Sequence, residues 1–210
     1  MTNDMTRGRI LPQLISFTIP LVLGNLFQLT YNAADSMIVG RYLGGQALAA
    51  VGTAGPIMNL AILFISGMCM GAGILMSTQY GAKQQDVLER QISTTLLSGL
   101  VFSFFVTLSM MVLAKPVLTL IRVPEEILDS ACGYLRIIFT GFLFTFAYNF
   151  FSSTLRALGD SKASLYFLVI SSVFNIAGDL LFVAVFRWGV NGSALATVLS
   201  QMICCLCCMI

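Results

Sequence analysis

Two acidic residues, Asp35 and Asp179, interrupt long stretches of otherwise apolar sequence. An ionised carboxylate in the middle of a bilayer costs about 2.5–3.5 kcal/mol on insertion scales, so such residues persist only with a partner or a task. Asn175 precedes Asp179 by four residues, which puts both on one face of a helix. Thr197 and Asn149 add a hydroxyl and an amide within two further apolar stretches. Hard cations take oxygen ligands from carboxylates, amide carbonyls and hydroxyls, and two carboxylates sharing one pocket titrate as a pair. The set Asp35, Asn149, Asn175, Asp179 and Thr197 therefore suits a site for a cation such as Na⁺, or for a proton. A packing role is the plainer alternative for the amides and the hydroxyl, each interhelical bond being worth about 0.6 kcal/mol. For Asp35 the alternative is an interfacial pair with Arg41.

Helical rise gives these positions comparable heights. Asp35 lies about 9 Å of helix before Arg41, and Asp179 about 12 Å before Arg187. Thr197 lies about 15 Å in from Arg187, and Asn149 about 20 Å in from Arg136. Pro20 falls inside the first apolar stretch, where a proline removes a backbone hydrogen bond and favours a kink. It is the candidate hinge, on the same helix as Asp35.

The elements that must hold these residues follow from composition. Of 210 residues, 58% are hydrophobic and 10% charged, whereas a soluble domain carries roughly 25% charged residues. The mean hydropathy of +0.91 makes lipid the natural solvent. Apolar segments run over 10–36, 47–78, 92–114, 131–155, 163–186 and 192–210. Each is close to or above the roughly 20 residues that a helix needs to cross hydrocarbon. The fold class expected is an all-α integral membrane bundle of six transmembrane helices. Its polar connections are expected at 41–46, 81–91, 115–130, 156–162 and 187–191.

Basic residues set the expected orientation. One side collects Arg7, Arg9, Lys83, Arg90, Arg156 and Lys162; the other collects Arg41, Lys115, Arg122, Arg136 and Arg187. The two leading arginines favour a cytoplasmic N-terminus. The last segment is still apolar at Ile210, so the chain is expected to be one lobe of a longer protein.

Other chemistry finds little support in the sequence. The chain contains no His, the commonest general base and metal ligand. Cys204, Cys205, Cys207 and Cys208 have C-x-x-C spacing but sit in an apolar run without other ligands, as small helix residues do. With no nucleophile–base pair and no metal motif, neither an enzyme nor a cofactor beyond the coupling ion is expected. A net charge of +2 gives no basis for a nucleic-acid partner.

The chain resembles the N-terminal lobe of multidrug and toxic compound extrusion (MATE) transporters, especially bacterial ones. The resemblance rests on Pro20 followed by Asp35 in "NAADSMIVGRYLG", on "STQYGAKQQDVLERQ" and on "STLRALGDSKAS". It also rests on "NIAGDLLF" and "GVNGSALATVLSQ", in that order along the six segments. It implies one lobe of a two-lobe, twelve-helix exporter in the bacterial inner membrane. Such a protein expels small amphipathic or cationic compounds against inward Na⁺ or H⁺, by alternating access. Its partners would be membrane lipid, that substrate and the C-terminal lobe, which this sequence lacks. The resemblance also implies a cation or proton site at Asp35, Asn149, Asn175, Asp179 and Thr197, and bending of the first helix at Pro20. A related flippase for lipid-linked precursors would line its cavity with several Arg or Lys, whereas the mid-span positions here carry acids and no base. An accessory subunit with its acids buried as helix glue is the other alternative.

Overall fold

The computed structural model describes residues 10–208, so Arg7 and Arg9 and the final Met209 and Ile210 lie outside the described residues. Seven α-helices follow in order. They are α1 (Ile10–Leu43), α2 (Gly45–Gly81), α3 (Gln85–Leu120), α4 (Glu125–Thr140), α5 (Phe142–Ala157), α6 (Ser161–Asp179) and α7 (Val190–Cys208). A π-helical segment, Leu180–Val185, continues α6. Five helices are long and apolar enough to cross a membrane, and α4 with α5 forms a sixth crossing bent by 49°.

The connections are much shorter than the polar stretches in the sequence. Helix α3 runs on through Lys115 to Leu120 and α4 starts at Glu125, so most of the connection expected at 115–130 is helical. Likewise only Gly44 separates α1 from α2, and only 82–84 separates α2 from α3. The reason lies in how the helices stop. After α2, Lys83 N–H bonds Tyr80 O and Gln84 N–H bonds Gln79 O; after α3, Arg122 and Val123 bond Thr119 and Leu118 in the same way. This closure places one residue in the left-handed region, a role usually taken by glycine. Here Lys83 (φ 57°) and Arg122 (φ 59°) take it, so the sequence carries no glycine to mark the stop. Gly159 (φ 90°) does mark the end of α5. The side chain of Asp160 then accepts from Ala163 N at 3.0 Å and opens α6.

The fourth span is broken at Gly141, and packing accounts for the break. A Cβ there would stand 2.6 Å from Val198 Cγ2 of α7. At the break the Phe139 carbonyl accepts from a backbone N–H of the cap and also from Thr107 Oγ1 of α3, at 2.9 Å. Aromatic side chains fill the centre beside the bend. Phe139, Phe142, Phe146 and Phe150 are fully or almost fully buried, and the tip of the Phe146 ring reaches over Gly99 of α3, where a Cβ would come within 2.0 Å of it. Helix α6 packs between α1 and α7, and α5 contacts α2, α3 and α7. By contrast α1 leaves most of its apolar side chains on the outside, including Leu14, Ile19, Leu26 and Leu29.

Candidate functional site

The acids expected in the spans are brought together from α1 and α6. Asp179 ends α6 and is completely buried, at 0% exposure. Asp35 on α1 lies beside it, with the hydroxyl of Ser193 on α7 next to both carboxyls. Ser193 Oγ donates to Asp35 Oδ1 at 2.9 Å, while neither oxygen of Asp179 has a donor among the described residues. Asp35 makes no ion pair with Arg41; the ion pair among the described residues is Lys115–Asp129, at 3.3 Å on the exterior. The alternative of an interfacial Asp35–Arg41 pair is therefore set aside.

One helical turn away the site continues with amide and hydroxyl. Asn175 Nδ2 donates to Thr197 Oγ1 at 3.2 Å, and the Asn175 carbonyl oxygen is buried without a donor. Asn175 with Asp179, and Ser193 with Thr197, each stand four residues apart, so two facing helix stripes supply the four side chains. Two carboxylates and the Ser193 hydroxyl thus form one cluster, and the Asn175 amide and Thr197 hydroxyl extend it by one turn along α6 and α7. Buried acceptors without donors call for water, a proton or a cation. The oxygen-only donor set suits a hard monovalent cation or a shared proton.

Asn149 stands apart from this cluster. Its amide donates to Thr145 O of its own helix at 2.8 Å, and it lines a polar cavity of about 420 Å³ with Pro20, Gln28, Tyr148 and Gln201. A depth counted along one straight helix does not hold across the 49° bend between α4 and α5. Pro20 is buried on the wall of the same cavity, and α1 stays helical through it.

Sequence reasoning missed three neighbours of the acids. Ser193 could have been found, since it precedes Thr197 by one helical turn. Tyr134 on α4 is buried within electrostatic reach of both Asp35 and Asp179, and Tyr31 lies near Asp35. A tyrosine in an apolar span gives no such signal by itself. The π-helical segment that starts directly after Asp179 was also unforeseen. Such segments concentrate at functional sites because they re-aim one turn of side chains.

The MatE family model matches residues 20–181. The chain belongs to the MatE family. It is 38% identical over 200 residues to the probable multidrug resistance protein YpnP of Bacillus subtilis, covering 94% of this chain and 44% of that protein. It is 21% identical over 195 residues to the multidrug export protein MepA of Staphylococcus aureus, covering 93% of this chain and 43% of that one. Among solved structures it superposes on a MATE protein in the straight conformation, at TM-score 0.91 and 26% identity, over 97% of this chain and 45% of that one. Against a MATE structure in the bent conformation the TM-score is 0.90, again at 26% identity, over 98% and 46%. The chain spans about half the length of the curated relatives it matches. A multi-pass membrane protein with the MATE half-fold is therefore shown.

Proposed function

We propose that this chain is the N-terminal six-helix lobe of a cation-coupled multidrug exporter, with its N-terminus cytoplasmic in the bacterial inner membrane. One observation carries the reading: the Asp179 carboxylate is sealed from solvent with both oxygens lacking a donor, against a second carboxylate, Asp35. No helix-glue role accounts for this, because interhelical glue works by making hydrogen bonds. Occupation by Na⁺ or a proton removes the repulsion and fills the empty acceptors. Asp35 and Asp179 hold the ion, Asn175 and Thr197 complete the oxygen set, and Ser193 orients Asp35. Asn149 serves the adjoining cavity.

Coupling follows from where the two acids sit. Asp35 is on α1 and Asp179 on α6, so occupation draws the two helices together, and vacancy drives them apart. Pro20 is fifteen residues before Asp35 on the long, weakly buried α1. It is the place where α1 can bend at least cost, since Pro20 has no N–H to lose. The bend would reshape the substrate cavity between this lobe and its counterpart, and that is alternating access. The organic cation and the coupling ion then compete for one conformational equilibrium.

The test is uptake of a cationic dye into inverted vesicles carrying the transporter, with Na⁺ and pH gradients imposed separately. Asp179→Asn and Asp35→Asn should each abolish the gradient-driven component. Undiminished coupling in both variants would sink the proposal.

A further inference from the structure

Arg156 is a charge that the cation site does not use. It was expected in a connection, but the structure puts it in the last turn of α5, half-buried and facing inward. Its Nη1 donates to Ser152 Oγ at 2.9 Å and to Ser164 Oγ at 3.3 Å. No carboxylate pairs with it among the described residues. The side chain lines two cavities. A half-buried arginine without a counter-ion is an anion site in waiting, because its fork matches phosphate and carboxylate oxygens.

The shape of the larger cavity narrows the class of anion. It has a volume of about 650 Å³ and opens between α1, α2 and α5. Phe17 and Leu21 of α1 and Met70 and Ile74 of α2 give it an apolar wall, and Tyr80 and Arg156 stand at its polar end. A second cation stands close by, since Lys83 lines a neighbouring cleft that shares Tyr80 and Gly81 with this cavity. An apolar slot with a basic end fits an amphiphile that has an acyl tail and a phosphate head. Basic pockets between transmembrane helices bind anionic lipid headgroups in this way.

We infer that the cavity between α1, α2 and α5 is a binding site for an anionic phospholipid, with the phosphate on Arg156 and an acyl chain along Phe17, Leu21, Met70 and Ile74. The site is separate from the acid pair and does not rest on cation coupling. Because α1 forms one wall, the lipid ties the Pro20-bearing helix to α2 and α5.

The test is native mass spectrometry of the chain released from dodecyl maltoside micelles containing phosphatidylglycerol or phosphatidylcholine with the same acyl chains. One phosphatidylglycerol should be retained about tenfold more strongly than phosphatidylcholine. Arg156→Gln should reduce retention to the phosphatidylcholine level, and Arg156→Lys should restore part of it. Met70→Trp, at a side chain 68% exposed and so tolerant of change, should expel the lipid by filling the slot while Arg156 stays. It keeps the test decisive if Arg156→Gln fails to fold. Equal retention of the two lipids, or retention unaffected by Met70→Trp, overturns the inference. Displacement of the lipid by millimolar inorganic phosphate overturns it in favour of a free-anion site. The readout is binding, so it is unaffected by whether Asp35 and Asp179 couple transport.

Discussion

Replacing Asp179 by asparagine should stabilise the lobe while destroying its proposed ion site. Asp179 is fully buried, and both its oxygens lack donors beside the Asp35 carboxyl. An unsatisfied buried polar group costs about 1–3 kcal/mol, and more when charged. Asparagine keeps the shape, removes the like charge and offers an amide N–H to Asp35. The gain expected in buffer without Na⁺ is therefore about 2 kcal/mol. For a chain of this size each kcal/mol moves Tm by about 2–4 °C, so Tm should rise by about 4–8 °C. The assay is the thermal melt of the detergent-solubilised protein, followed by fluorescence-detected gel filtration. The wild-type Tm should climb as Na⁺ is added or the pH is lowered, because either ion fills the empty acceptors and stabilises the state that binds it. In Asp179→Asn that dependence should vanish. A variant that melts lower than wild type without Na⁺, or that keeps the wild-type ion response, refutes the reasoning.

Further substitutions probe the same structure. Ser193→Ala removes the hydroxyl donor to Asp35 and should weaken ion-dependent stabilisation, with a loss of about 1.5–3 kcal/mol for a bond to a charged group; an unchanged ion titration would count against its positioning role. Gly99→Leu forces a side chain into the Phe146 ring and should cost at least about 1–3 kcal/mol, seen as a lower Tm with no change in ion response. Thr107→Val removes the second donor to the Phe139 carbonyl at the bend, which keeps its backbone donor, and should cost about 0.5–1.5 kcal/mol, the net worth of one hydrogen bond, read as a lower Tm. Lys115→Ala breaks an ion pair whose partners are 56% and 90% open to solvent, and should leave Tm unchanged within error.

Much of this protein was legible in the chain. Continuous apolar runs require helices, because lipid supplies no hydrogen bonds to the backbone; the all-helical membrane fold followed from that. The acids at Asp35 and Asp179 announced themselves by their cost in hydrocarbon, and i, i+4 spacing tied Asn175 to Asp179. Tertiary structure decided the rest. That Ser193 lies beside both acids depends on how α7 rotates against α1 and α6, which no local pattern encodes. Asn149 left the cluster because Gly141 breaks its span against Val198, a contact 57 residues away in sequence. Arg156 became an interior cation, not a loop residue, because α5 runs two residues further, to Ala157, before Gly159 closes it. Depth along a helix can be read from residue spacing, since the rise per residue is fixed. Which side chains meet across helices cannot, because it depends on rotations, bends and close approaches that only the packed core sets.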